Sequence, residues 1–124
     1  MITASLNNYR QSPRKVRVVA TLIKGKKVAD ALNTLMFLNK RATDPLAKLI
    51  NSALANAKNL SVPTENLVIK ELRVDGGQVL KRRMPRARGT AYTIHKRTSH
   101  IQLVLGEKQV KSKTRSTKSE KNDK

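Results

Sequence analysis

The sequence predicts an α+β fold: three helices packed on a small antiparallel sheet, with one long β-hairpin extending from it. Apolar residues recur at helical spacing from Pro13 to about Lys58, then turn to strand-like alternation from Leu67 onward. Within that β region lies a basic run, KRRMPRARG (Lys81–Gly89), flanked on both sides by strand-like sequence. A turn-rich run between two strands reads as the end of a hairpin.

Residues 2–9 suit a short strand with Ile2, Ala4 and Leu6 on one face. Ser12 is a suitable N-cap, and Pro13 suits the first helical position, where a missing N–H costs nothing. Val16, Val19, Ala20 and Ile23 then form one buried face, and Gly25 suits the stop. Arg14, Arg17, Thr21 and Lys24 lie on the opposite side. A second helix is predicted over about 28–38, with Val28, Ala31, Leu32 and Leu35 inward, Asp30 in the first turn and Asn39 as a cap. A third spans about 44–58, capped by Thr43 or Asp44 and opened by Pro45. Its apolar stripe is Leu46, Leu49, Ile50, Ala53, Leu54 and Ala57. In the β region Val68, Leu72 and Val74 are assigned to one strand face, interrupted by Lys70. Gly76-Gly77 permits a bend or bulge. Ile101, Leu103 and Leu105 alternate at the end of the returning strand.

The chain's 124 residues suit one domain. Residues 1–106 form the expected body, with a hairpin over approximately 78–98; residues 107–124, nearly devoid of apolar side chains, read as a disordered basic tail. The middle of the hairpin also has few apolar residues, so by itself it is marginal in water.

Charge points to an anionic partner. Lys plus Arg number 27 against 8 Asp plus Glu, a formal charge of +19, and such an excess opposes compaction unless it is neutralised. From Gly76 to Gly106 there are seven Lys or Arg and no acid. Five of them are Lys81, Arg82, Arg83, Arg86 and Arg88; Lys96 and Arg97 follow on the returning arm. Against phosphates such charges release counterions, and arginine adds a planar fork that binds phosphate bidentately or stacks on bases. The alternative is a solvated charged loop, against which the flanking strands and the absence of acids argue. Arg14, Lys15 and Arg17 sit near the positive end of the first helix dipole, where a helix built only for stability carries acids. With Lys24, Lys26 and Lys27 they suggest a second nucleic-acid-facing surface. Met84 beside Pro85 is an apolar pair that suits either a wedge against bases or packing within the loop.

Other chemistry is poorly supported. Cysteine is absent, which excludes disulfides, thiolate metal sites and cysteine nucleophiles. His95 and His100 are the only histidines, five apart on a predicted strand and so on opposite faces, with no carboxylate nearby in sequence to orient either. Neither a P-loop nor a dinucleotide fingerprint occurs. No apolar run suits a signal peptide or a membrane span. No catalytic residue, metal or cofactor is therefore expected. An RNA-processing enzyme lacks a constellation to work with, and an architectural DNA-binding protein with basic arms would usually need a dimeric body.

With these segments placed, the chain resembles the family of bacterial-type ribosomal large-subunit protein twenty-two. The resemblance covers about residues 3–105 and rests on blocks in a specific order: SPRKVRVVATLIKGKKVADAL (Ser12–Leu32), SALANAKN (Ser52–Asn59), then KRRMPRARG (Lys81–Gly89) with IHKRTSHI (Ile94–Ile101). It implies a structural constituent of the large ribosomal subunit that binds ribosomal RNA, supports assembly and is not an enzyme. Lys81, Arg82, Arg83, Met84, Pro85, Arg86, Ala87, Arg88 and Gly89 would form a hairpin tip lining the nascent-peptide exit tunnel. Arg14, Lys15, Arg17, Lys24, Lys26 and Lys27 would face RNA from the body, with Lys96 and Arg97 flanking the returning arm. Implied partners are ribosomal RNA, neighbouring ribosomal proteins and the nascent polypeptide, with no membrane segment and no functional homo-oligomer. The implied location is ribosome-bound, in the cytoplasm or an organelle. Thr90 and Arg83 depart from the family pattern, standing where arginine and a hydrophobic residue are common.

Overall fold

Strand β3 (Ala91–Glu107), although last in the chain, is the centre of a three-stranded antiparallel sheet, with β1 (Ile2–Tyr9) on one side and β2 (Leu67–Pro85) on the other. Three helices connect β1 to β2: α1 (Pro13–Ile23), α2 (Val28–Phe37) and α3 (Thr43–Asn59). The computed structural model describes residues 1–107. The expected tail lies outside these residues except for Glu107, which ends β3 opposite Leu67.

The core forms where the helices meet one face of the sheet. Ile101, Leu103 and Leu105 of β3 are buried with Val16, Val19 and Ile23 of α1, Ala31 and Leu35 of α2, and Leu46, Ile50, Ala53 and Ala57 of α3. The period of 3.6 on the helices and of 2 on β3 aims these side chains at one another. Along the edge strand β1, Ile2, Ala4 and Leu6 pair with Leu105, Leu103 and Ile101 respectively, so the alternation of one strand matches that of the other.

Four local expectations change. In β2 the buried residues are Leu67, Ile69, Leu72 and Val74, and Val68 is only half-buried. A bulge between Ile69 and Glu71 makes Lys70 the extra residue, so the alternation changes phase and Val68 falls on the other face from Leu72. Helix α3 begins at Thr43 after Ala42, and neither Thr43 nor Asp44 supplies a side-chain cap. The Thr43 hydroxyl instead donates to the Lys40 carbonyl at 2.6 Å. Leu38, not Asn39, ends α2, its N–H donating to the Leu35 carbonyl. Ser12 occupies the N-cap of α1, yet its hydroxyl makes no cap bond.

Gly25 stops α1 with φ +80°, a conformation that a side chain would strain. The turn is tied to the sheet: the Gly25 N–H donates to the Ile69 carbonyl, and the Ile69 N–H donates to the Lys26 carbonyl, each at 3.0 Å.

Beyond Val74 the sheet sheds its helical cover and continues as a two-stranded arm. A second bulge lies between Gly76 and Val79, after which pairing runs unbroken from Val79–Arg97 to Pro85–Ala91. The Thr98 hydroxyl donates to the Gln78 carbonyl at 2.7 Å and closes the bulge. Seven paired residues a side give an arm of about 23 Å.

Candidate nucleic-acid interface

Register decides which arm residues work together, because directly opposed residues in an antiparallel pair share a face. One face carries Leu80 with Lys96, Arg82 with Ile94, and Met84 with Tyr92. The other carries Val79 with Arg97, Lys81 with His95, Arg83 with Thr93, and Pro85 with Ala91. Cations therefore occupy both faces, while the larger apolar side chains are concentrated on the first. Met84 and Pro85 point to opposite sides and do not act as a pair; the partner of Met84 is Tyr92.

The tip is a short turn over Ala87–Gly89, with Arg88 at φ 59° and Gly89 at φ 70°. Two successive left-handed residues reverse the chain sharply, and glycine removes the cost at one of them. The Arg86 N–H donates to the Thr90 carbonyl at 2.9 Å, and the Thr90 hydroxyl donates to the Ala87 carbonyl at 2.8 Å. Thr90 thus fastens the turn. Lys81, Arg82, Arg83, Arg86 and Arg88 are all exposed. The one ion pair among the described residues is Arg73 with Asp75, so no arm cation has an acidic partner there.

The body cations divide into two groups. Arg14 and Arg17 border Gly76 and Arg97 at the root of the arm. Lys24, Lys26 and Lys27 sit at the far end of α1, beside the start of β2, where Lys27 bridges to Val68. Along the helix axis seven residues, about 10 Å, separate Arg17 from Lys24, so the two groups lie toward opposite ends of α1. Arg17 is also less available than its sequence position suggests: Nε and Nη2 both donate to the Val74 carbonyl, at 3.0 and 2.8 Å. This fork ties α1 to β2 just before the arm leaves the body.

Residues not anticipated from sequence also position the root. Ser99 is fully buried, and its hydroxyl donates to the Gln11 carbonyl. The His100 ring accepts the Asn8 N–H at Nδ1, 3.2 Å away, which gives this histidine a structural partner. Tyr9 donates its hydroxyl to the Arg41 carbonyl at 3.1 Å. Burial raises the Tyr9 pKa above its ordinary value; Arg41 lowers it and Asp44 raises it further. None of these pairs is close in sequence, and only a turn or strand assignment hinted at their neighbourhood.

A helical body with a projecting basic arm is the geometry against which relatives can be compared. The family model described as "Ribosomal protein L22p/L17e" matches residues 4–106. The chain belongs to the ribosomal protein L22p/L17e family. Relatives named "Large ribosomal subunit protein uL22" include one from Desulfitobacterium hafniense, 55% identical over 100 residues that cover 80% of this chain and 88% of the relative. Another, from Herpetosiphon aurantiacus, is 48% identical over 108 residues, 86% of this chain and 96% of the relative. One from Mesoplasma florum is 47% identical with the same two coverages. L22p/L17e membership makes the chain a non-enzymatic ribosomal protein.

Proposed function

We propose that this protein binds ribosomal RNA in the large subunit, supports subunit assembly and lines the nascent-peptide exit tunnel with its hairpin tip. One observation carries the reading: an arm of about 23 Å, with no helical cover, presents cations on both faces and no acid. Such an arm gains stability where phosphates surround it. Counterion release supplies most of the affinity; the paired backbone presents the forks of Arg82 and Arg83, and the fastened turn presents those of Arg86 and Arg88. Sequence readout is minor, because phosphate contacts set register without reading bases. The partners are ribosomal RNA, neighbouring ribosomal proteins and the nascent polypeptide; no cofactor or metal takes part. The working location is the ribosome, in the cytoplasm.

Titrating the full chain with a large-subunit RNA fragment across a salt series tests this. The expected result is a linear fall of log affinity with log salt, with a slope of about 0.7–0.9 per neutralised phosphate. A flat response overturns the reading. Substituting glutamine at Arg82 and Arg86 is expected to reduce the slope while leaving the helical circular dichroism unchanged.

A further inference from the structure

We propose that the outer face of α2, with the groove between α2 and α3, is a protein-docking surface. It takes a basic segment of a neighbouring large-subunit protein and seats an apolar side chain of that segment beside Met36 and Phe37. The proposal rests on the reading of neighbouring ribosomal proteins as partners and gives one of them a place on this chain. Met36 is 83% exposed and Phe37, the chain's single phenylalanine, is 91% exposed. Beside them lies a groove of about 290 Å³ whose lining includes Leu32, Leu35, Met36, Asp44, Ala47 and Asn51. Small-molecule sites run from about 300 to 1,000 Å³, so this groove suits a partner's side chain better than a cofactor.

Helical spacing builds this surface. Val28, Ala31 and Leu35 of α2 face the core. Asp30, Asn33 and Phe37, at i, i+3 and i+7, are left together on the outside, and all three are exposed. Met36 lies on the side toward α3, where it shares the groove with Asp44 and Ala47. Leu35 is buried and anchors the last turn, so Met36 and Phe37 are held outward by a fixed helix. Aromatic and methionine side chains are the apolar residues that protein interfaces favour, and two of them in succession on a helix end make a compact anchor.

Charge selects the occupant. Helix α2 is the one helix among the described residues without a lysine or arginine, and its single charge is Asp30. Asp44 adds a second carboxylate, and no cation lines the groove. Lys26 reaches α2 at Thr34, its Nζ donating to the hydroxyl at 3.2 Å, and Lys48 stands on α3 one turn beyond Asp44; both flank the surface without lining the groove. On a chain of charge +19 this is therefore a face that offers phosphate little, because carboxylates repel it and no cation meets it. A second copy of this chain, docked by twofold symmetry, would set Asp30 and Asp44 against the same two residues. A segment with lysine or arginine beside an apolar residue satisfies the whole surface: its cations meet the carboxylates, and its apolar side chain covers Met36 and Phe37.

The test places the photo-crosslinker p-benzoylphenylalanine at Phe37 of the full chain, lets it assemble into large subunits, and maps the adduct in the purified subunits by mass spectrometry. The expected adduct joins position 37 to a peptide of another large-subunit protein that carries an apolar residue beside lysine or arginine. A synthetic peptide of the mapped segment is then titrated against the free full chain. It is expected to bind Met36→Gln/Phe37→Ser roughly fivefold or more weakly than the unaltered chain, with the melting temperature unchanged because both side chains are exposed. Asp30→Asn/Asp44→Asn is expected to bind the peptide more weakly and with a shallower salt dependence. An adduct to RNA, to a second copy of this chain or to a peptide without cations overturns the proposal, as does the absence of any adduct or equal peptide binding by all three chains. Binding of a large-subunit RNA fragment by Met36→Gln/Phe37→Ser is expected to match that of the unaltered chain; a loss there assigns the face to RNA and also overturns it. If the unaltered chain shows no salt dependence with RNA while the peptide binds as expected, the RNA reading falls and this surface stands.

Discussion

The body and the arm are made from the same two strands, yet different forces hold them. Below Val74 and Ile101, β2 and β3 bury alternate side chains under three helices; beyond Gly76 they keep their backbone pairing and lose the core. Leu103 is 1% exposed, whereas Ile94, nine residues earlier on the same strand, is 39% exposed. Hydrophobic burial thus fixes the body in isolation. The arm relies on backbone ladders, a closed bulge and a fastened turn, and its cations have no acidic partner among the described residues.

That contrast can be broken by mutation. The largest expected effect is in the core: Leu103→Ala should destabilise by about 2–5 kcal/mol, and Ile94→Ala by less than about 1 kcal/mol, in chemical denaturation. Equal losses would mean that the arm has a core of its own. Next comes the junction. A Cβ on Gly77 would lie 2.5 Å from Thr98 Oγ1 and 2.9 Å from His100 Nε2, while one on Gly76 meets nothing within 4 Å. Gly77→Ala should therefore cost about 1–3 kcal/mol and disturb the amide resonances of the arm root, with Gly76→Ala as a near-neutral control.

A smaller effect is expected at the tether. Arg17→Leu removes two donors from the Val74 carbonyl and should cost about 1 kcal/mol by thermal melting, with faster hydrogen exchange around Val74. The smallest concerns Tyr9. Its raised pKa means that the folded state favours the neutral phenol, so this contribution is complete below the ordinary value of 10.0 and is lost as pH rises through the folded value. Tyr9→Phe should flatten that alkaline decline and cost about 0.5–1 kcal/mol at neutral pH through the lost bond to Arg41. An unchanged alkaline profile would remove Tyr9 from the account.

Much of the site was legible because it is dense and local. The Lys81–Arg88 run, the Gly76-Gly77 irregularity and the Ser12-Pro13 helix start each declare themselves within a few residues. Arg10 and Arg41 did not, since Arg10 stands alone between Tyr9 and Gln11 and Arg41 has only Lys40 beside it. Val68 was assigned to the wrong face because one inserted residue at Lys70 reverses the parity of everything after it.

The sequence by itself determined the helices, the strands and the basic arm, because helical and strand periods and local charge density are properties of adjacent residues. Only the tertiary structure decided that β3 is central, that Arg17 is pinned to Val74, that Met84 faces with Tyr92, and that Arg10, Arg41 and Arg97 share one root. Those facts depend on register and on contacts between distant segments, and a local pattern carries no record of either.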